Sequence, residues 1–142
     1  MRLGRFVRKP KGKGERGQAL VEFALIVPIF LLLVFAIVDF GMGFHAWITV
    51  TNAAREGARV GAVGADSATI QGKVTDTTVS LDAASVTTTV TNAQGAPGEA
   101  VTVKVDYDYQ LITPLSSIMG MVSGNTLGPN IVFSSTSEMR LE

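Results

Sequence analysis

The chain contains no cysteine and only one histidine, His45. The first absence excludes disulfides, thiolate metal sites and a cysteine nucleophile. The second leaves little general acid–base or metal chemistry, because a lone imidazole without a second ligand or an orienting acid makes a poor catalyst. His45 is read instead as an interfacial side chain. No Ser/His/Asp set, metal cluster or glycine-rich phosphate loop is visible, so the chain is expected not to be an enzyme and to need no cofactor and no metal. Asp106 and Asp108 share a strand face, but two carboxylates fall short of the six to eight oxygens that calcium takes. They are read as a solvated face.

Acidic residues are scarce at the start. Residues 1–17 hold Arg2, Arg5, Arg8, Lys9, Lys11, Lys13 and Arg16 against Glu15 alone, whereas residues 41–142 hold five basic and nine acidic residues. A basic segment beside an apolar run reads as a cytoplasmic flank under the positive-inside rule. No aromatic residues or recognition helix accompany these charges, so nucleic acid is not an expected partner.

Charge is missing altogether from Phe23 to Val38, 16 residues within an apolar stretch that runs from Ala19 to Phe44. At about 1.5 Å per helical residue the stretch can cross a bilayer core of about 30 Å. Pro28 lies inside it, as membrane helices tolerate. The stretch exceeds the 7–15 apolar residues of a secretory signal, and no small-residue cleavage site follows it closely. Glu22 and Asp39 flank the uncharged part. By charge and depth, Glu22 either sits in the headgroup layer or awaits a cation from elsewhere. Asp39 is read as a carboxylate at the far interface.

Three groups of residues carry a resemblance. The first is Gly14-Glu15-Arg16-Gly17-Gln18-Ala19-Leu20-Val21-Glu22-Phe23-Ala24, followed by Pro28. Asp39-Phe40-Gly41 and Asn52-Ala53-Ala54-Arg55-Glu56-Gly57-Ala58-Arg59 are the others, and Ser137–Glu142 fits a closing strand. Together they resemble the TadE-like family of pseudopilins, or minor pilins, of tight-adherence (Tad/Flp) pilus systems, themselves type IV prepilin-like. The resemblance implies cleavage by a prepilin peptidase between Gly17 and Gln18. It also implies a charge-pairing role for Glu22 against the free amine of a neighbouring subunit. Two charges that leave water together need each other, since an unpaired buried charge costs several kcal/mol. The implied partners are other pilin and pseudopilin subunits, the prepilin peptidase, Tad inner-membrane assembly proteins and the lipid bilayer.

Beyond the apolar stretch a helical period continues. Phe40, Phe44, Trp47, Thr51, Ala54, Ala58 and Gly61 recur at spacings of four and three, which predicts one packing face. Residues 18–63 are thus expected to form one helix, near 70 Å if unbroken, with Gly41, Gly43 and Gly64 as bend or stop points. Asn52, Arg55, Glu56 and Arg59 are read as a solvated face with local ion pairs.

Farther on, Asp66 or Ser67 is expected to cap a short helix bearing Ile70, Val74, Thr77 and Leu81. Alternation predicts strands over Ser85–Asn92, Val101–Tyr109 and Ile131–Leu141. The long connection Leu111–Asn130 is expected to hold a helical turn around Leu115–Met121, with Ile118, Met119, Met121 and Val122 assigned to the core in preference to a subunit-contact loop.

The expected fold is therefore α+β, a long N-terminal transmembrane helix continuing into a small domain with a three- to four-stranded antiparallel sheet. Its parts are a basic cytoplasmic leader (1–17), the membrane helix (18–44), a helix extension (45–63) and an extracytoplasmic domain (64–142). The expected location is the cytoplasmic (inner) membrane, in a single pass, with the N-terminus cytoplasmic. The resemblance implies a part in assembling a Tad-type pilus. An uncleaved, membrane-anchored scaffold or adhesin module is the alternative.

Overall fold

The computed structural model describes the backbone of residues 13–123 and 130–142. Side chains are described over the same ranges except at 13–16, 119, 122 and 123. In chain order the elements are α1 (Lys13–Ala62), α2 (Ser67–Thr77), a single 3-10 turn (Ala83–Ser85), β1 (Val86–Thr91), β2 (Ala100–Gln110), α3 (Leu115–Ser123) and β3 (Asn130–Arg140). The chain divides into two units, Met1–Val34 and Phe35–Glu142.

In the first unit, α1 is apolar on all sides. Leu20, Phe23, Leu25, Ile29 and Leu33 are all exposed. A helix apolar all round and exposed along its length has the character of a membrane span and not of the amphipathic helix of a soluble domain. Among the described residues, α1 is the one helix long and apolar enough to cross a membrane.

The second unit is built on a three-stranded antiparallel sheet in the order β1-β2-β3, as the alternation predicts. The β-branched sequence of β1, VTTTVT, suits a half-buried pleat. In β2 the odd-numbered residues Val101, Val103, Val105, Tyr107 and Tyr109 are buried, and the residues between them are not. The register sets Val90 and Val103 opposite each other, and likewise Val103 and Ser137. One sheet face therefore turns to the helices, while Thr102, Lys104 and Asp106 face outward.

The outer half of α1 covers that inner face with small side chains. Ala46, Val50, Ala53, Ala54 and Ala58 are buried. A Cβ on Gly57 would come within 2.9 Å of Val74 Cγ2 and 3.1 Å of Val103 Cγ1, and one on Gly61 within 3.0 Å of Val101 Cγ2. Helix and sheet approach this closely only because those glycines lack side chains. Each fully buried valine of β2 contributes about 1.5–3 kcal/mol. The helix stops at Gly64, where φ is +83°, a value that costs glycine nothing.

Local chemistry sets the remaining ends. Asp66 caps α2 by accepting a 2.8 Å hydrogen bond from Thr69 N. Ile70 and Val74 bury the inner side of that helix, while Leu81 lies past its end. Asn92 (φ 59°) and Gln94 (φ 58°) turn the hairpin loop between β1 and β2. The Asn92 amide secures that turn by donating to Ala100 O at 3.0 Å and Glu99 Oε2 at 3.1 Å. The turn of helix expected near Leu115–Met121 is present as α3, but Met121 is 87% exposed and does not belong to the core. Ile118 is half-buried. The side chains of Met119 and Val122 lie outside the described residues.

Candidate functional site

Two carboxylates on α1, Glu22 and Asp39, stand out by their surroundings. Glu22 lies in the first unit, five residues past Gly17, and is exposed among exposed apolar neighbours. Gln18, one turn earlier, donates from Nε2 to Glu22 Oε1 at 3.0 Å. An ionised carboxylate can accept about four hydrogen bonds, so one amide leaves capacity for a cationic donor. Gly17 and Gln18 are both exposed, and the bond between them lies inside α1.

Asp39 lies in the second unit, and its carboxylate is turned inward. It is 2% exposed. Its Oδ1 accepts from Ile112 N at 2.9 Å and from Thr113 N at 3.3 Å, and its Oδ2 accepts a short hydrogen bond from the Thr113 hydroxyl. The Tyr109 hydroxyl donates to Asp39 O at 3.1 Å. Burying a charge is costly unless hydrogen bonds replace its water, and here three donors converge on the carboxylate. The carboxylate is enclosed because β2 runs antiparallel to α1, so its end and the loop beyond it arrive beside Asp39. Burial raises the ionisation point of the Tyr109 hydroxyl, and the nearby Asp39 carboxylate adds to the effect.

The face expected to run from Phe40 to Gly61 divides in two. Ala54, Ala58 and Gly61 are buried. Phe40 (79% exposed), Phe44 (60%) and Trp47 (45%) are not. The buried face where α1 enters the second unit is instead Asp39, Gly43, Ala46 and Val50. A Cβ at Gly43 would meet Phe133 Cζ at 3.4 Å and Tyr109 Cε1 at 3.5 Å, so aromatic rings from the sheet fill the space there. The helix's own aromatics point elsewhere, with Phe44 and Trp47 ring centroids 5.6 Å apart.

The charged face around Asn52–Arg59 forms local pairs. Arg59 binds Glu56 through two hydrogen bonds, of 2.7 and 2.9 Å, and Lys73 lies 3.6 Å from the same carboxylate. The bonds from Arg59 hold the Glu56 carboxyl down to about 2, and the nearby charges of Arg59 and Lys73 contribute further. On the outward sheet face, the Ser134 hydroxyl, and then Lys104 at 2.9 Å, lower the ionisation point of Asp106. His45 is exposed. Among the described residues, no group of three or more histidines and acids is placed to hold a metal.

Sequence reasoning missed the Asp39 cluster. The one available signal was an acid at the end of an apolar run, and its partners are more than 70 residues away. No curated protein and no solved structure matches the chain. The family model described as TadE-like protein matches residues 17–59, a span that holds Gly17, Gln18, Glu22, Asp39 and the Asn52–Arg59 face. That match agrees with the resemblance carried by the motifs in the same span.

Proposed function

We propose that this protein is a pseudopilin-type subunit that takes part in assembling a Tad pilus. In this reading α1 holds it in the cytoplasmic membrane, with the basic leader inside and the sheet domain outside. The observation that carries the proposal is Glu22, a carboxylate on the exposed apolar surface of α1, five residues past Gly17 and within the TadE-like span. A carboxylate at such a place costs about 2.5–3.5 kcal/mol at full membrane depth. A cation on an adjoining subunit offsets that cost and fixes the axial register between the two helices.

Cleavage between Gly17 and Gln18 supplies such a cation, the amine of Gln18. The same cut removes seven basic residues that would repel one another where helices gather. Processing thus acts as the step that licenses assembly. Lateral partners are other pilin and pseudopilin helices, and the peptidase and inner-membrane assembly proteins act before them.

Two measurements test this. Intact mass of protein taken from membranes is expected to begin at Gln18. A mass that retains residues 1–17 supports the fixed-anchor reading, a scaffold or adhesin module, with which an α1 continuous across Gly17–Gln18 is compatible. The second measurement is recovery of Glu22→Ala in pilus complexes. It is expected to fall while membrane insertion persists, and unchanged recovery removes the pairing role.

A further inference from the structure

We propose that the second unit makes a membrane contact of its own, an apolar collar around α1 formed by the loop after β2 and the start of β3, seated on the lipid headgroup layer. The inference rests on the membrane reading of α1 given above.

Four side chains define the collar. Phe40 is 79% exposed on α1, Ile112 64% on the loop after β2, and Ile131 (45%) and Val132 (59%) at the start of β3. Hydrogen bonds set them at one level along the helix. Ile112 N is held by Asp39, the residue beside Phe40. Ile131 pairs across the ladder with Tyr109, whose hydroxyl reaches Asp39 O. Val132 follows, opposite Asp108, which marks the outward rim. Exposed apolar groups gathered in this way mark an interaction surface and are unlike the scattered hydrophobes of an ordinary exterior.

The choice of lipid as occupant comes from position and charge. The collar is continuous with Phe35–Phe44, the part of the apolar stretch that lies in this unit. The one acid of α1 at this level, Asp39, is turned inward and spent on the loop. From Tyr109 to Ser137 the sequence carries no charged residue. Asp108 sets one carboxylate at the outward rim, while Phe40, Ile112, Ile131 and Val132 themselves form an uncharged apolar surface of the kind a headgroup boundary favours. Trp47, 45% exposed and two turns beyond Phe40, suits the outer side of that boundary.

The absence of native cysteine makes the test direct. Single cysteines at Ile29, Ala96, Ile112 and Val132, each spin-labelled in the full chain, are reconstituted into phosphatidylcholine vesicles. Collision with oxygen and with an aqueous nickel chelate then reports depth. Labels on Ile112→Cys and Val132→Cys are expected to show more oxygen and less nickel collision than Ala96→Cys on the distant hairpin loop. Ile29→Cys reads the bilayer interior. If 112 and 132 are as open to nickel as 96 while 29 is buried in lipid, the collar is refuted and the anchor stands. If 29 is itself open to water, the anchor reading fails and takes the collar with it. If 112 and 132 are shielded from both reagents and dilution into excess lipid exposes them, a protein partner covers them and the lipid assignment is overturned.

Discussion

The Asp39 carboxylate on α1 holds the backbone N–H of Ile112 at 2.9 Å, across 73 residues of sequence. With Thr113 donating from both N and Oγ1, one side chain fixes the exit of β2. Hydrogen bonds to a charged group are worth about 1.5–3 kcal/mol, and buried donors left without partners add cost. Asp39→Ala is therefore expected to destabilise the Phe35–Glu142 unit by about 3 kcal/mol, and Asp39→Asn by less, because the amide keeps one acceptor. Denaturant unfolding in detergent checks the magnitude. Faster amide exchange at Ile112 and Thr113 checks the location.

Glycine at 57 and glycine at 72 predict opposite outcomes for the same substitution. A methyl at Gly57 meets Val74 Cγ2 at 2.9 Å, a β-branched side chain with little freedom to yield, while one at Gly72 meets nothing within 4 Å. Gly57→Ala is expected to lose about 1–3 kcal/mol to overpacking, less the gain in helix propensity. Gly72→Ala, inside α2, is expected to gain about 1 kcal/mol. Thermal melts of the two variants should move in opposite directions.

The Glu56 carboxyl gives a pH signature. Its folded value of about 2 lies below the ordinary 4.5. A carboxyl lowered by folding stabilises the folded state fully above the ordinary value, and that support is lost as pH falls through the folded one. The stability difference between the wild type and Glu56→Gln is thus expected to shrink between pH 4.5 and 2. Carbon NMR should place the Glu56 midpoint near 2, and Arg59→Gln should move it toward 4.5.

At the hairpin loop, Asn92 combines a left-handed backbone (φ 59°) with two side-chain hydrogen bonds, to Ala100 O and Glu99 Oε2. Asn92→Ala loses both bonds and keeps the unfavourable φ, which costs a residue with a Cβ about 1–2 kcal/mol. Asn92→Gly loses the bonds but relieves the backbone. Equilibrium unfolding is expected to rank wild type first, then glycine, then alanine.

What could be read in the residues was whatever local chemistry decides. Asp66 announces α2 because a cap acts within three residues. Val101 to Tyr109 announce a strand because alternation is local, and Ile70 and Val74 announce their buried side for the same reason. The face of α1 was harder to read. Periodicity weights large apolar groups, so it selected Phe40, Phe44 and Trp47. The helix meets the sheet through Gly43 and Ala46, whose smallness makes the contact possible and whose signal in a hydrophobic pattern is slight. Asp39 was illegible as a clasp because its donors come from another part of the chain, and only the antiparallel run of α1 and β2 brings them together. Glu22 was legible because its oddity, an acid in an apolar helix, needs no tertiary knowledge.

The clasp also fixes how force travels. Asp39 lies beside the end of β2 and Gly61 beside its beginning, so tension along α1 enters the central strand along its own axis. Both ladders that flank β2 then bear the load in shear, with many bonds strained together, and do not open one at a time like a zip. Under a lengthwise pull on α1, the Ile112–Thr113 grip is the first point at which the strain is shared.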